Sequence, residues 1–221
     1  MARRLALFDL DNTLLAGDSD HAWGEFLISK QLVEETTHRA ENDRYYQQYR
    51  EGKLDIHAYV RFTLLPILAL SRAQRLALHA EFMRNAITPL YLPKADALVE
   101  QHLNSGDLTV IVTATNEFIT QPIAERFRVE HLIATELEME KDRFTGRIEG
   151  IPCYQFGKVE KLEKWLQRQT AKLSLNEAVF YSDSINDLPL LERVAVPVAV
   201  DPDAQLHAEA TSRGWKIISL R

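Results

Sequence analysis

Short continuous apolar runs recur along the chain, and each is followed by polar or turn-forming residues. The first run covers residues 5–8 and ends directly at Asp9. Runs of this length and composition are typical of strands that are buried on both faces of a sheet. The same pattern predicts strands over residues 108–112, 178–181 and 194–200, and a short last strand over residues 215–220.

Segments with helical character separate these runs. Val159, Leu162 and Leu166 recur on one face of a helix predicted over residues 158–169. Further helices are predicted over residues 93–102, 117–127 and 204–213. An alternation of strands and helices indicates an α/β domain built around a mainly parallel sheet.

Residues 17–86 have a different character, because they contain no strand-like run. Helices are predicted there over residues 22–30, 34–50, 55–65 and 71–85. We therefore predict a Rossmann-like core made of residues 1–16 and 87–221, with an all-helical cap inserted over residues 17–86. A hairpin without a chemical role is expected between residues 135 and 152, with its turn at residues 144–147.

Composition and charge narrow the possible classes of function. The chain has 221 residues, of which 46% are hydrophobic and 26% charged, so it is expected to fold into a globular protein. Its net charge of −6 gives no general attraction to nucleic acids or membranes, and neither is expected as a partner. A single cysteine, Cys153, excludes an intramolecular disulfide. Because the chain has neither a secretory segment nor an apolar run long enough to cross a bilayer, we expect a cytoplasmic protein.

Acidic side chains follow two of the predicted strands. Asp9 and Asp11 come directly after the first strand, and Asp183 and Asp187 follow the strand at residues 178–181. Ligands bind at the carboxyl ends of strands in open parallel sheets, so we expect Asp9, Asp11 and Asp183 to converge there. Such a group of oxygen ligands suits Mg²⁺. The alternative is that these aspartates only end strands, form turns or cap helices, as aspartate commonly does.

Two further residues have positions that suit contacts with an anion. Thr113 follows the strand at residues 108–112, where its hydroxyl can donate to an anionic oxygen. Lys158 opens a predicted helix, although cations are electrostatically favoured at the opposite end of a helix. Each also fits an ordinary role, as a strand-end threonine or a solvated lysine. A zinc site is not predicted, because the seven histidines lack metal-binding spacing.

Taken in order, the Asp-x-Asp pair, Thr113, Lys158 and the segment from Asp183 to Asp187 resemble the motifs of the haloacid dehalogenase-like superfamily. Within it, the chain is similar to phosphatases that carry a helical cap after the first motif, including serine phosphate and histidinol phosphate phosphatases. The resemblance covers essentially the whole chain. It implies a hydrolase that removes phosphate from a small phosphorylated metabolite with the help of Mg²⁺.

The resemblance also implies roles for the aspartates. Asp9 is expected to be the nucleophile that becomes an aspartyl phosphate, and Asp11 to be the general acid and base. Asp9, Asp11 through its backbone carbonyl, and Asp183 are expected to bind Mg²⁺. Asp187 is expected to lie beside these ligands and to support them.

Other residues are expected, by the same resemblance, to contact the substrate. Thr113, Lys158 and the backbone N–H group of Ala114 would hold the phosphoryl oxygens. Asp18, nine residues after Asp9, would meet a substrate ammonium, and Arg61 would meet a substrate carboxylate. The ordinary alternatives are that Asp18 caps the following helix and that Arg61 is a solvated helix residue.

One segment departs from the serine phosphate phosphatases. Two glycines usually follow the threonine position in those enzymes, whereas Ala114, Thr115 and Asn116 follow Thr113 here. The substrate therefore stays open between serine phosphate, histidinol phosphate and related compounds. Phosphomutases and phosphotransferases of the same superfamily are rivals that also keep both aspartates. A non-catalytic protein that binds a phosphorylated ligand is a further alternative, although such proteins usually lack one of these residues. The sequence does not indicate an oligomeric state.

Overall fold

A parallel sheet of six strands lies at the centre of the computed structural model, which describes residues 4–169 and 173–221. The strands are β1 (Leu5–Phe8), β2 (Leu108–Asn116), β3 (His131–Thr135), β4 (Leu137–Glu140), β5 (Arg143–Ile148), β6 (Val179–Ser182), β7 (Val196–Val200) and β8 (Lys216–Ile218). All except β4 and β5 belong to this sheet, in the order β3-β2-β1-β6-β7-β8. The first strand of the chain therefore lies at the middle of the sheet.

Helices cover both faces of the sheet. They are α1 (Ser19–Ser29), α2 (Glu35–Arg50), α3 (Ile56–Leu64), α4 (Arg72–Phe82), α5 (Pro93–Asn104), α6 (Glu117–Arg126), α7 (Phe156–Gln167), α8 (Leu188–Leu191) and α9 (Ala204–Arg213). Ala6 and Phe8 of β1 belong to one apolar cluster with residues of α5 and α6, whereas Leu5 and Leu7 belong to a second cluster with residues of α7, α8 and α9. This two-sided burial explains the continuous apolar run in β1. Among the described residues, no helix combines the length and apolar character needed to cross a bilayer.

The register of the sheet determines which residues meet at its carboxyl edge. Phe8 pairs with Ile111 of β2 and with Tyr181 of β6, and both neighbours run parallel to β1. The N–H group of Asp9 donates to the carbonyl of Tyr181 over 2.9 Å. The segments that follow these three strands consequently leave the sheet on the same side.

Helices α1 to α4 form the cap, which the chain enters and leaves through adjacent segments. Leu15 pairs with Tyr91 in an antiparallel bridge, and the N–H group of Ala16 donates to the carbonyl of Leu90 over 2.8 Å. The cap has an aromatic interior, in which Trp23 and Phe82 meet edge to face with ring centroids 5.0 Å apart. The fold class is thus the predicted one, a Rossmann-like α/β core with an inserted helical cap.

Most of the predicted strands are present, but β3 was not predicted. It lies at the edge of the sheet, and its first two residues, His131 and Leu132, are only half-buried. An edge strand does not need an apolar residue at every position, so it lacks the signal that identified the central strands. In the cap, α4 ends at Phe82 and the chain continues directly as a π-helical turn over Met83–Ile87. The helix predicted over residues 71–85 is therefore present, but it changes type after Phe82.

The hairpin of β4 and β5 is present, but its predicted turn at residues 144–147 is wrong. The turn is formed by Lys141 and Asp142, which both have positive φ values, of 47° and 63°. A two-residue hairpin turn requires this left-handed conformation, for which glycine is the usual signal. The sequence did not indicate the turn, because neither residue is glycine. The hairpin packs against the cap, where the Arg75 guanidinium lies over the ring of Phe144 at 4.8 Å and donates to the carbonyl of Asp142.

The start of α7 depends on a glycine. A Cβ atom on Gly157 would lie 2.0 Å from the carbonyl oxygen of Pro152, so this position leaves no room for a side chain. The N–H group of Gly157 also donates to the carbonyl of Tyr154 over 2.8 Å. We predict that Gly157→Ala lowers the free energy of unfolding, measured in urea titrations, by about 1–3 kcal/mol, which is the usual cost of overpacking.

The matched control is Phe156→Ala, because the neighbouring Phe156 side chain is 76% exposed. That change is expected to alter the free energy of unfolding by less than about 0.5 kcal/mol. If Gly157→Ala unfolds at the same urea concentration as the control, the close approach to Pro152 does not constrain α7.

Candidate active site

Asp9, Thr113 and Asp183 lie at the carboxyl edge of the sheet. Asp9 and Asp183 directly follow β1 and β6. Thr113 lies within the adjacent strand β2, two residues after Ile111, which pairs with Phe8 at the end of β1. Asp9 and Thr113 are almost fully buried, with 3% and 1% of their surfaces exposed. The sheet therefore brings together side chains that are far apart in the sequence, as the strand pattern predicted.

The side chain of Lys158 forms the central contact of the site. Its Nζ atom lies 2.7 Å from Oδ1 of Asp9 and 2.7 Å from Oδ1 of Asp187. Burial lowers the pKa of Lys158, but the carboxylates of Asp187 and Asp9 outweigh this effect and raise it, so the ammonium stays charged. The first turn of α7 thus supplies a buried cation between two buried carboxylates, which explains a lysine at this end of a helix.

The two partners of Lys158 remain affected by their burial. Desolvation raises the pKa of Asp9, and the ammonium of Lys158 opposes the increase. Burial likewise raises the pKa of Asp187, to about 6, against the effect of Lys158. The hydroxyl of Ser182 donates to Oδ2 of Asp187 over 2.7 Å and helps to fix it. Two negative charges therefore share one positive charge in this part of the site.

Asp183 approaches the other side of Asp9. The Thr13 hydroxyl donates to Oδ1 of Asp183 over 3.0 Å and lies 3.5 Å from Oδ2 of Asp9. Burial raises the pKa of Asp183 well above its usual range, and the nearby Asp9 carboxylate adds to this. The carboxylates of Asp9 and Asp183 both approach the Thr13 hydroxyl. Their oxygens form a donor set that fits Mg²⁺, which commonly binds one or two carboxylates and completes its shell with water and phosphate oxygens.

The Asp11 carboxylate turns away from this pair. Its Oδ1 accepts the N–H group of Ser19 at 2.7 Å, and its Oδ2 accepts the hydroxyl of Thr115 at 2.8 Å. Burial and the neighbouring Asp18 raise the pKa of Asp11 to about 7. Within residues 4–169 and 173–221, no three His, Cys, Asp or Glu side chains come close enough to hold a metal ion. The two oxygens of the Asp11 carboxylate are instead held by Ser19 and Thr115.

The segment after Thr113 supplies two contacts that sequence reasoning missed. It had been singled out only because it lacks glycines. Its Thr115 hydroxyl holds Asp11, and the Asn116 side chain accepts the N–H group of Ile119 to cap α6. Thr113 and Ala114 line the cavity beside Asp9. A pattern of Thr-x-Thr after a buried strand was the available signal for the second hydroxyl.

A cavity lies between the cap and the carboxyl edge of the sheet. Its floor contains Asp9 and Asp11, and α1 with the residue before it contributes Asp20 and Asp18. The remaining wall is mainly aromatic and apolar, formed by Tyr45, Tyr46, Tyr49, Leu54, Ile56 and Tyr59. Among the described residues, those that line this cavity include no lysine, arginine or histidine. The cavity is thus suited to a ligand with a positive charge and an aromatic or apolar part.

Asp20 and the tyrosines were not predicted as site residues. Helix α2 is so polar that its sequence reads as a solvated helix, although Tyr45 and Tyr49 recur at a spacing of four residues and share one face. Burial raises the pKa of Asp20 well above its usual range, and Asp18 and Asp11 add to this. Burial also raises the pKa of Tyr59, and Asp20 is the carboxylate that adds most to that increase. Asp20 and Tyr59 both line the cavity.

Asp18 and Arg61 have different outcomes. Asp18 caps α1 by accepting the N–H group of His21 at 2.8 Å, and it also lines the cavity, so both of its proposed roles are compatible with the structure. Arg61 is exposed and is not among the residues that line the cavity. It follows Tyr59 by two positions, which places the two side chains on opposite sides of α3. The structure does not bring Arg61 to the other predicted site residues.

Comparisons with known proteins identify the family. A family model described as haloacid dehalogenase-like hydrolase matches residues 6–192. A histidinol-phosphatase of Neisseria meningitidis is 42% identical over 221 residues, which cover 99% of this chain and 100% of that protein.

Solved structures give the same result for the fold. A Bordetella pertussis protein of unknown function is 44% identical, covers 100% of both chains and superimposes with a TM-score of 0.92. A substrate-bound phosphoserine phosphatase is 18% identical, covers 100% of this chain and 94% of that chain, and has a TM-score of 0.72. At that identity, the second structure supports the fold alone.

Removal of the Lys158 charge is expected to be costly. Lys158→Met leaves Asp9 and Asp187 buried without a cation, and loss of one partner of a buried ion pair costs about 3–5 kcal/mol. We predict a loss of that size at pH 8 in urea titrations and a smaller loss at pH 5, which lies below the pKa of about 6 of Asp187, so that this carboxylate binds a proton. Lys164→Met is the control, because Lys164 lies on the same helix and forms only an exposed pair with Glu160. Equal losses in both variants would contradict the account.

The metal-free protein is expected to lose stability as the pH rises from about 4 to 7. The pKa of Asp11 is about 7 in the folded state and 3.8 for an unperturbed aspartate, so the unfolded chain releases this proton first. The contribution of Asp11 to the free energy of unfolding is therefore fully present below pH 4. It falls by roughly 2–4 kcal/mol as the pH rises towards 7. Urea titrations in the presence of a chelator should show this decline in the wild type and a weaker one in Asp11→Asn. The same slope in both proteins would show that Asp11 does not titrate as described.

Proposed function

The chain belongs to the haloacid dehalogenase-like hydrolases, and on this basis we propose that it is a Mg²⁺-dependent phosphatase that acts on a small amino-alcohol phosphate. Histidinol phosphate is the compound that fits best. The observation that carries the proposal is the position of Asp9 at the floor of the acidic cavity, with Lys158 on one side and Asp183 on the other. The histidinol-phosphatase of Neisseria meningitidis, similar over its whole length, supports the choice of substrate.

Asp9 is the proposed nucleophile. Lys158 holds Oδ1 at 2.7 Å, so Oδ2 is the oxygen that attacks phosphorus. A bond forms between Oδ2 and phosphorus while the bond from phosphorus to the alcohol oxygen breaks, which yields an aspartyl phosphate. Asp9 must be ionised for this step, and the ammonium of Lys158 acts against the increase of its pKa by burial.

Asp11 is the proposed general acid and base. Its pKa of about 7 means that the protonated form is well populated near neutral pH, and this form can give its proton to the leaving alcohol oxygen. The resulting carboxylate then takes a proton from the water that attacks phosphorus, which releases inorganic phosphate and restores Asp9. The contacts with Ser19 and Thr115 keep the carboxylate oriented towards the cavity rather than towards the metal ligands.

The remaining residues bind and orient the phosphoryl group. Thr113 and the N–H group of Ala114, at the cavity floor, would donate to its oxygens, and Lys158 adds positive charge. Asp187 holds Lys158 in position. Asp9, Asp183 and the Asp11 carbonyl would hold Mg²⁺, which would neutralise the negative charge of the phosphate and the carboxylates.

The substrate end of the cavity favours an amino-alcohol phosphate without a carboxylate. Asp18 is the proposed partner of the substrate ammonium. In the described part of the chain, the cavity lining holds no basic side chain that could bind the carboxylate of serine phosphate. Arg61, which was predicted to meet such a carboxylate, is exposed and does not line the cavity, so it has no role in the proposed reaction.

Asp9→Asn tests the proposal most simply. We predict that release of phosphate from histidinol phosphate requires Mg²⁺, stops with a chelator and is absent in Asp9→Asn, because an amide cannot form the aspartyl phosphate. Asp43→Asn is the control, since Asp43 is an exposed acid of the cap whose carboxylate pairs with His21 at 3.0 Å. Wild-type turnover by a folded, homogeneous Asp9→Asn preparation would rule out the proposed nucleophile.

A further inference from the structure

Asp20 is a buried carboxylate for which the proposed mechanism has no use. It lies in the first turn of α1 and lines the cavity, and only 6% of its surface is exposed. An acid near a helix N-terminus interacts well with the helix dipole, but this benefit does not require burial inside a ligand cavity. The position of Asp20 therefore calls for a second explanation.

The protein itself gives Asp20 weak partners. The side-chain amide of Asn116 donates to Oδ1 over 3.5 Å, which is long for a hydrogen bond. The Thr115 hydroxyl lies near Asp20, but it already donates to Asp11 over 2.8 Å. Within residues 4–169 and 173–221, no ion pair involves Asp20. A buried carboxylate without a cation is unfavourable unless a ligand supplies the cation.

The surroundings of Asp20 suit a flat ring. Tyr45 and Tyr59 line the same cavity, and their ring centroids lie 5.1 Å apart at an angle of 47°. Tyrosine faces attract cations and stack against planar rings. A carboxylate beside two such rings can accept an N–H group at the edge of an aromatic heterocycle that packs against them.

The two cap carboxylates have different neighbours. Asp18 directly precedes Ser19, whose N–H group donates to Asp11, the proposed acid for the leaving oxygen. Asp20 comes two residues later, and the side chains of Asn116 and Thr115 are its neighbours. In histidinol phosphate, the ammonium is on the carbon adjacent to the ester carbon, and the imidazole is one carbon further away. The substrate thus carries two separate nitrogen groups, and the cavity carries two separate cap carboxylates.

We propose that Asp20 is a specificity-determining residue whose carboxylate accepts an N–H group of the substrate's imidazole ring, while Asp18 binds the ammonium. This inference rests on the proposed function and adds a second recognition point to it. The cavity then selects leaving groups that carry two nitrogen functions, and it disfavours those that carry a carboxylate.

The test compares two substrates that differ only in the ring. Phenylalaninol phosphate keeps the phosphate, the ammonium and a ring but has no ring nitrogen. Asp20→Asn should lower kcat/KM for histidinol phosphate by roughly 10–100-fold, the effect of losing a hydrogen bond to a charged group. It should change kcat/KM for phenylalaninol phosphate by less than about threefold. Asp18→Asn, the matched variant, should lower kcat/KM for both substrates.

Other outcomes overturn the proposal. If Asp20→Asn lowers kcat/KM equally for both substrates, or for neither, Asp20 does not read the ring. A thermal unfolding curve detects a purely structural role, in which the melting temperature falls and the preference between substrates is kept.

Wild-type protein supplies a test without any variant, because histidinol should inhibit at least about tenfold more strongly than phenylalaninol. Equal inhibition by the two alcohols contradicts the proposal.

A third substrate separates this inference from the proposed function. Hydrolysis of p-nitrophenyl phosphate needs the core residues but neither cap carboxylate. If the wild type hydrolyses none of the three compounds with Mg²⁺, the proposed function fails. If it hydrolyses p-nitrophenyl phosphate and histidinol phosphate, and Asp20→Asn leaves the preference for histidinol phosphate over phenylalaninol phosphate unchanged, only the role of Asp20 fails.

Discussion

The buried ammonium of Lys158, held between Asp9 and Asp187, is the interaction on which the rest of the site depends. Two carboxylates and a lysine can be buried together only if their charges compensate each other, and this requires close contact. The contact in turn requires β1 and β6 to be neighbours and α7 to begin where Gly157 passes close to Pro152. The Lys158 ion cluster thus depends on the order of the strands, on the start of α7 and on one glycine.

Much of the fold could be predicted from the sequence, because the central strands are buried on both faces and therefore continuously apolar. The parallel α/β core, the inserted helical cap and the family are confirmed. Edge strand β3 and the turn at Lys141 and Asp142 were missed for a physical reason. An edge strand is buried on fewer positions, and a left-handed turn without glycine leaves no compositional signal.

The sequence likewise indicated the site residues of the core but not most of those of the cap. Lys158 was identified because a lysine at a helix start opposes the helix dipole, and the structure places two carboxylates beside it. The cavity walls come from tertiary contacts of the cap, so sequence reasoning found no signal for Asp20 or for the tyrosines of α2 as site residues. The core thus holds the groups proposed for phosphoryl transfer, and the cap holds those proposed to recognise the leaving group. For Arg61, the helical spacing itself argued against a shared site with Tyr59.

The central claim is that Asp9 carries the phosphoryl group during turnover. Sodium borohydride reduces an acyl phosphate to an alcohol, so an aspartyl phosphate is converted to homoserine. The most direct measurement is to quench the enzyme with borohydride during steady-state hydrolysis of histidinol phosphate with Mg²⁺ and to map the product by peptide mass spectrometry. The account predicts homoserine at position 9 only when substrate is present. Continued phosphate release with unmodified aspartate at position 9, or with homoserine at another position, would contradict it.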